Sequence, residues 1–294
     1  MNKIKKSTGE KIFTVCNYAF MILMMFVMFY PMWHVFCSSL SDAKLLSAHT
    51  GLLLWPQGFS TSAYKLMFNN PMIVIGFVNT FKILALGLII NMVLTSMAAY
   101  VLSRKGLMLN KACTLFIIFT MYFSGGLIPG YLTVQELGLF DSVWALVLPT
   151  AVSTFNLIVL RTGFASVPES LIESAKLDGA GELVVLWRIV LPLSKANLAV
   201  IALYYAVAHW NSWFNAMLFL EKRELYPLQL VLREILIQND TSNMMIGVDA
   251  GDAGFLGETI KYAVIIVSVI PILCIYPFIQ KYFAKGVMVG AVKG

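Results

Sequence analysis

The feature that most limits this chain is the recurrence of apolar blocks close to the ~20 residues that carry a helix through ~30 Å of hydrocarbon. From Ile12 to Tyr30 no charged residue occurs, and five comparable blocks follow. A soluble helix keeps one polar face for water, and blocks this uniformly apolar leave none. Of the 294 residues 59% are hydrophobic and 12% charged, about half the charged share of a soluble domain. The surplus apolar surface requires lipid, so the fold class is an all-α integral membrane protein.

Turn-forming and polar segments separate six expected transmembrane helices, at 12–35, 73–102, 112–131, 143–165, 196–217 and 261–282. The expected organisation is an N-terminal tail 1–11, a first span 12–35, an outer loop 36–72, a membrane core 73–282 and a C-terminal tail 283–294. The first apolar run is too long for a secretory signal core and no small-x-small site follows it, so it reads as an uncleaved span.

Charge sets the orientation, because Lys and Arg beside span ends stay in the cytoplasm. With both termini inside, the inner segments hold 14 of the 21 basic and five of the 15 acidic residues, a net +9 against −3 for the rest. Both termini and the loop 167–195 are therefore expected in the cytoplasm.

The +6 charge does not mark a nucleic-acid binder, since the basic residues form no stripe with interleaved aromatics. Cys16, Cys37, Cys113 and Cys274 lie far apart without metal-ligand spacing and read as packing residues. His34, His49 and His209 are scattered outside any hydrolase motif, so an embedded enzyme is disfavoured. No Gly-Lys dipeptide occurs, so the chain carries no phosphate loop of its own. An ion-coupled secondary transporter is the alternative; it would need intramembrane acids or paired repeats, and neither is seen in the six blocks.

The most informative segment is VPESLIESAKLDGAGELVVLWRIVLPLSK, residues 167–195. Pro168 suits a helix start, Leu171, Ile172 and Ala175 form an apolar stripe, and Gly179 gives a C-terminal stop. A second helix, Glu182 to Val190, presents Leu183, Leu186, Trp187 and Val190 at helical spacing, with Pro192 expected to close it. As residues alone this is a helical hairpin at the inner membrane face.

The order Glu173-Ser174-Ala175, then Asp178-Gly179-Ala180, Trp187-Arg188 and Leu191-Pro192 resembles the EAA loop of bacterial importer permeases, the binding-protein-dependent transport inner membrane component family. Ser174 stands where that family usually has a second Ala. The resemblance covers most of the chain and is closest to the second permease of maltose-type ATP-binding-cassette importers, including 52–68 and the tail Gly290, Lys293, Gly294. It implies that the loop is a coupling helix docking on an ATPase subunit, with Glu173 and Asp178 pairing to the partner, and that the tail reaches between two ATPases. It also implies a second, unlike permease, an extracytoplasmic sugar-binding protein, and a multi-pass place in the bacterial cytoplasmic membrane. ATP and Mg would be used by the partner ATPases, with no cofactor, metal or catalytic residue on this chain. The substrate is expected to be a carbohydrate, an oligosaccharide more than a monosaccharide.

Polar residues inside spans are the candidates for a substrate path, because unpaired polar groups facing lipid are costly. They are Asn79, Lys82, Asn91, Tyr122, Asn156, His209, Trp210, Asn211 and Asn215, with Asn211 and Asn215 expected on one helix face. Lys82 hints at uronate-type sugars. The polar loop tip with Asn239, Asp240, Asp249 and Asp252 is expected to meet the binding protein; its acids do not have EF-hand spacing.

Overall fold

The computed structural model describes residues 7–104, 106, 108–237 and 250–291, the last stretch with side chains for 254–277. Asn239, Asp240, Asp249, Lys293 and Gly294 lie outside the described residues, and Asp252 and Gly290 are described as helical backbone only. No strand occurs among the described residues; a single bridge pairs Ser41 with Phe59. The helices divide between two compact units.

The first unit holds residues 1–70 and 235–269. Helix α1 runs Thr8–Ser39, capped by the Ser7 hydroxyl accepting the Glu10 N–H. Its side chains from Ile12 to Phe29 are largely exposed, which suits lipid. Helices α2 (Ala43–Ala48) and α3 (Ser62–Asn69) pack the following segment. Tyr30 and Trp33 on α1 fix it by bonding the backbone at Leu53 and Leu54.

The second unit, 71–234 with 270–294, is organised on α4, Pro71–Ser103. Its interior face carries Asn79 and Thr80 and then Ile83, Gly87, Asn91, Thr95 and Tyr100 at spacings of three to five, so one stripe of a long helix meets the rest of the unit. Helices α5 (Asn110–Tyr122), α6 (Leu127–Glu136), α7 (Trp144–Val147), α8 (Thr154–Ala165), α9 (Glu169–Leu177) and α10 (Glu182–Val185) follow. After a π turn, Leu186–Val190, come α11 (Leu191–Leu193), α12 (Lys195–Trp210), α13 (Phe214–Phe219), α14 (Leu228–Ile237) and α15 (Ala250–Ala291).

Among the described residues three helices, Thr8–Ser39, Pro71–Ser103 and Gly254–Pro277, are long and apolar enough to cross a membrane, or up to five if each bent pair counts as one span. The unbroken helices expected at 112–131, 143–165 and 196–217 are corrected. The first turns by 110° between α5 and α6, where Ser124-Gly125-Gly126 interrupts the ladder and Pro129 falls in the first turn of α6, which needs no N–H there. The second is unwound over 148–153, after which the Ser153 hydroxyl caps α8. The third stops at Trp210 and resumes at Phe214. Conversely α15 extends well past 261–282 at both ends and continues through Pro271 and Pro277, so much of the expected tail is helical.

Candidate functional site

Two cavities in the second unit gather the residues of interest. The first starts from the unwound stretch between α7 and α8. Backbone carbonyls freed from a helix need partners within the protein when no water is at hand. Asn91 on α4 supplies them, its amide donating to Thr150 O at 2.8 Å and Ala151 O at 2.9 Å. With both amide hydrogens so used, its Oδ1 faces His209 Nε2 at 2.7 Å and the imidazole carries its proton there. Gly87 lies one turn earlier on α4, and a Cβ there would stand 2.4 Å from the same nitrogen, so only glycine admits the ring. One turn later, Thr95 shares a 2.7 Å bond with the Tyr205 hydroxyl, which also accepts the Ser153 N–H at 2.9 Å. The unwound segment is thus stitched to α4 and α12 by a neutral polar seam.

Beside this seam is a cavity of about 460 Å³, lined by Thr150, Ser153, Phe155, Asn156, Tyr204, Tyr205, Ala208, His209, Asn211, Ser212, Phe214 and Asn215. It contains amides, hydroxyls and aromatic faces, and no Asp, Glu, Lys or Arg. Such a lining can bond hydroxyls and pack against C–H surfaces without displacing a charge.

Of the sequence candidates, Asn156, His209, Asn211 and Asn215 come together here. Asn211 and Asn215 do not share a helix face: Asn211 caps α12, its amide donating to Val207 O, and Asn215 belongs to α13. Asn79 is engaged elsewhere, donating to Glu224 O at 2.6 Å and Tyr226 O at 3.2 Å. Trp210 is buried against Phe77 and Phe81. Lys82 is exposed on α4, and Tyr122 is 82% exposed at the end of α5. Thr95, Thr150, Ser153 and Tyr205 were not anticipated, although the i, i+4 pair Asn91 and Thr95 and the break signal at Pro149 were legible.

The second cavity, about 580 Å³, lies against the hairpin 167–195 and includes Tyr100, Arg104, Glu169, Glu173, Lys176 and Glu182 in its lining. Helix α9 ends in a Schellman closure: Ala180 N–H reaches Ala175 O at 2.9 Å and Gly179 N–H reaches Lys176 O at 3.0 Å. Gly179 sits at φ +86, and nothing stands within 4 Å of where its side chain would be. A turn so open leaves room for a partner to approach the backbone.

Ile172, Val185, Leu186 and Val190 are the hairpin's buried face, packed with Ala99, Leu102, Leu160 and Phe164. Its other face is exposed: Glu173, Ser174, Asp178 and Arg188, with Leu177 88%, Leu183 63% and Trp187 59% exposed. Ala175, Ala180 and Leu191 are half-buried under that face. The second helix runs past Val190 and ends one residue beyond Pro192. Pro192 follows a π turn, in which Leu191 N–H reaches Leu186 O, and the helix ends at Leu193 before an 88° bend into α12.

Charged groups hold the hairpin to α4. The Glu182 carboxylate accepts the Tyr100 hydroxyl and pairs with Lys176 Nζ at 2.5 Å. The Lys176 bond, then the Tyr100 bond, keeps the Glu182 carboxyl below its ordinary range. Elsewhere, Asp141 at φ +54 accepts the Glu221 and Lys222 N–H groups at 3.0 Å and Lys222 Nζ at 2.9 Å, which lowers its carboxyl to about 2.

Residues 83–289 match the family described as the binding-protein-dependent transport system inner membrane component. The chain is 40% identical over 290 residues, 97% of its length and 99% of the relative's, to the polygalacturonan/rhamnogalacturonan transport system permease protein YtcP of Bacillus subtilis (strain 168). It is 38% identical to protein LplC of the same organism over 294 residues, 100% of this chain and 99% of that one. A bacterial ABC transporter involved in the import of the acidic polysaccharide alginate contains a chain of like fold, with TM-score 0.87 and 30% identity over 96% of this chain and 100% of that one.

Proposed function

The chain belongs to the binding-protein-dependent transport system inner membrane component family, and from that premise we propose that it is the carbohydrate-conducting permease of an ATP-driven importer, working by alternating access with a second, unlike permease. Two ATPase subunits bind ATP and Mg and hydrolyse the nucleotide, and an extracytoplasmic binding protein delivers the sugar. The observation that carries this reading is the hairpin 167–195. It packs one face on α4 and α8 and leaves Glu173, Ser174, Asp178, Gly179, Leu177 and Trp187 open on the other. An exposed mix of large apolar groups and carboxylates around an open glycine turn suits docking into a cleft of a partner.

In this reading the six apolar stretches are six crossings, three of them interrupted, with both termini in the cytoplasm. Gly290, Lys293 and Gly294 extend towards the ATPases, and Asn239, Asp240, Asp249 and Asp252 towards the binding protein. The cavity at Asn156, His209, Asn211 and Asn215 is the stretch of path on this chain, holding sugar by hydroxyls and ring faces. Relatives named for polygalacturonan/rhamnogalacturonan and for alginate favour an acidic oligosaccharide. Lys82, exposed on α4 and outside that cavity, is the candidate to pair with a uronate.

The test is hydrolysis by the complete reconstituted complex with its binding protein and oligogalacturonide, comparing wild type with Glu173→Ala and Gly179→Asp. Loss of stimulated hydrolysis, with permeases folded and ATPases detached, supports the reading. Unchanged hydrolysis and uptake would overturn it.

A further inference from the structure

The apolar contacts between the hairpin and α4 resist separation, but burial is non-directional and leaves helices able to slide or roll. Fixing a register takes directional bonds, and those to an ionised acceptor are the strongest. One carboxylate supplies them here. Glu182, the first residue of α10, accepts the hydroxyl of Tyr100 on α4 and pairs with Lys176 on the last turn of α9. Tyr100 is 5% exposed, so its hydroxyl is aimed rather than free to wander. Its ring is covered by the Arg104 guanidinium, 5.0 Å from the centroid. Arg104 in turn donates to the Ser103 hydroxyl at 3.0 Å and to Phe164 O at 3.3 Å, the latter on α8. Groups on α4, α8, α9 and α10 therefore converge on one joint, and both arms of the hairpin are tied to it.

We propose that the Tyr100–Glu182 bond, braced by Lys176, is the joint that passes displacement of the hairpin to α4, making Tyr100 and Glu182 positioning residues for transport. The inference rests on the reading of the hairpin as the ATPase-docking element. The displacement reaches the sugar cavity along one rigid helix, since α4 carries Tyr100 at the joint and Asn91 and Thr95 at the polar seam. Glu173 and Asp178, by contrast, lie on the exposed face and bear on docking alone.

The experiment is hydrogen exchange on the complete complex in nanodiscs, nucleotide-free against ATP with vanadate, for wild type, Tyr100→Phe and Glu182→Gln. In wild type both 169–193 and 97–104 should respond to nucleotide. In Tyr100→Phe the hairpin should still respond while the response of 97–104 falls about fivefold or more, within the usual range of coupling factors. Glu182→Gln keeps an acceptor for Tyr100 but loses the Lys176 pairing, and should fall between the two. Bound ATPase measured in the same samples shows that the variants assemble. Equal responses at 97–104 in wild type and Tyr100→Phe, or a wild-type response confined to 169–193, would overturn the joint. No response of 169–193 in wild type would remove the docking reading, and the proposal with it.

Discussion

These two cavities of the second unit solve the same problem, holding another element to α4, with opposite chemistry. At the unwound stretch 148–153 every group is neutral: an amide, an imidazole, two hydroxyls and backbone. At the hairpin the groups are ionised: Glu182, Lys176 and Arg104 around a single tyrosine. The difference follows from solvent. Inside hydrocarbon an ionised side chain is costly and a backbone carbonyl must be paired, so neutral amides and hydroxyls do the work. At an aqueous face charges are tolerated, but an exposed pair contributes little stability, so its value lies in geometry. One cavity should therefore answer perturbation by unfolding, the other by uncoupling.

The largest expected effect is at Gly87. Gly87→Val places methyl groups on the His209 ring, and overpacking of this kind costs about 1–3 kcal/mol before the seam's lost hydrogen bonds are added; the purified complex should melt well below wild type. Asn91→Leu comes next, because it leaves Thr150 O, Ala151 O and His209 Nε2 without their partner, at about 1–3 kcal/mol per buried unsatisfied group. A variant melting like wild type would mean that water already satisfies those carbonyls.

A sharper comparison deletes the same atom in each cavity. Tyr205→Phe strands the Ser153 N–H and should lower the melting temperature, whereas Tyr100→Phe returns a half-exposed carboxylate to water and should barely move it while weakening coupling. If both variants melt alike, the contrast fails.

Acid should produce the smallest effect at the hairpin. Glu182 has a carboxyl lowered in the folded state, so its stabilising contribution is complete above the ordinary Glu range and is lost as pH falls through the depressed value. Hydrogen exchange stepped downward from pH 7 should loosen 169–193 once the pH drops below the ordinary Glu range. The Asp141 clamp on Glu221 and Lys222, with its carboxyl near 2, should outlast the hairpin in the same titration.

The sequence by itself determined the membrane class, the helical content, the family and the hairpin with its glycine turn, because each is written locally. Uniform apolar blocks exclude a soluble core, and the order Glu173 to Gly179 closes a helix by short-range bonds whatever surrounds it. It also named four of the residues that meet in the neutral cavity. Tertiary structure alone decided which break signals in the spans are realised, that Asn211 and Asn215 face one cavity from different helices, and that a π turn precedes Pro192. It alone also joined Tyr100 to Glu182, 82 positions apart. Hydropathy averages over a window and cannot register that Asn91 stands ready to take the carbonyls of an unwound segment 59 residues away. A break in a span is affordable only when such a distant partner exists, and that is a property of packing rather than of local sequence.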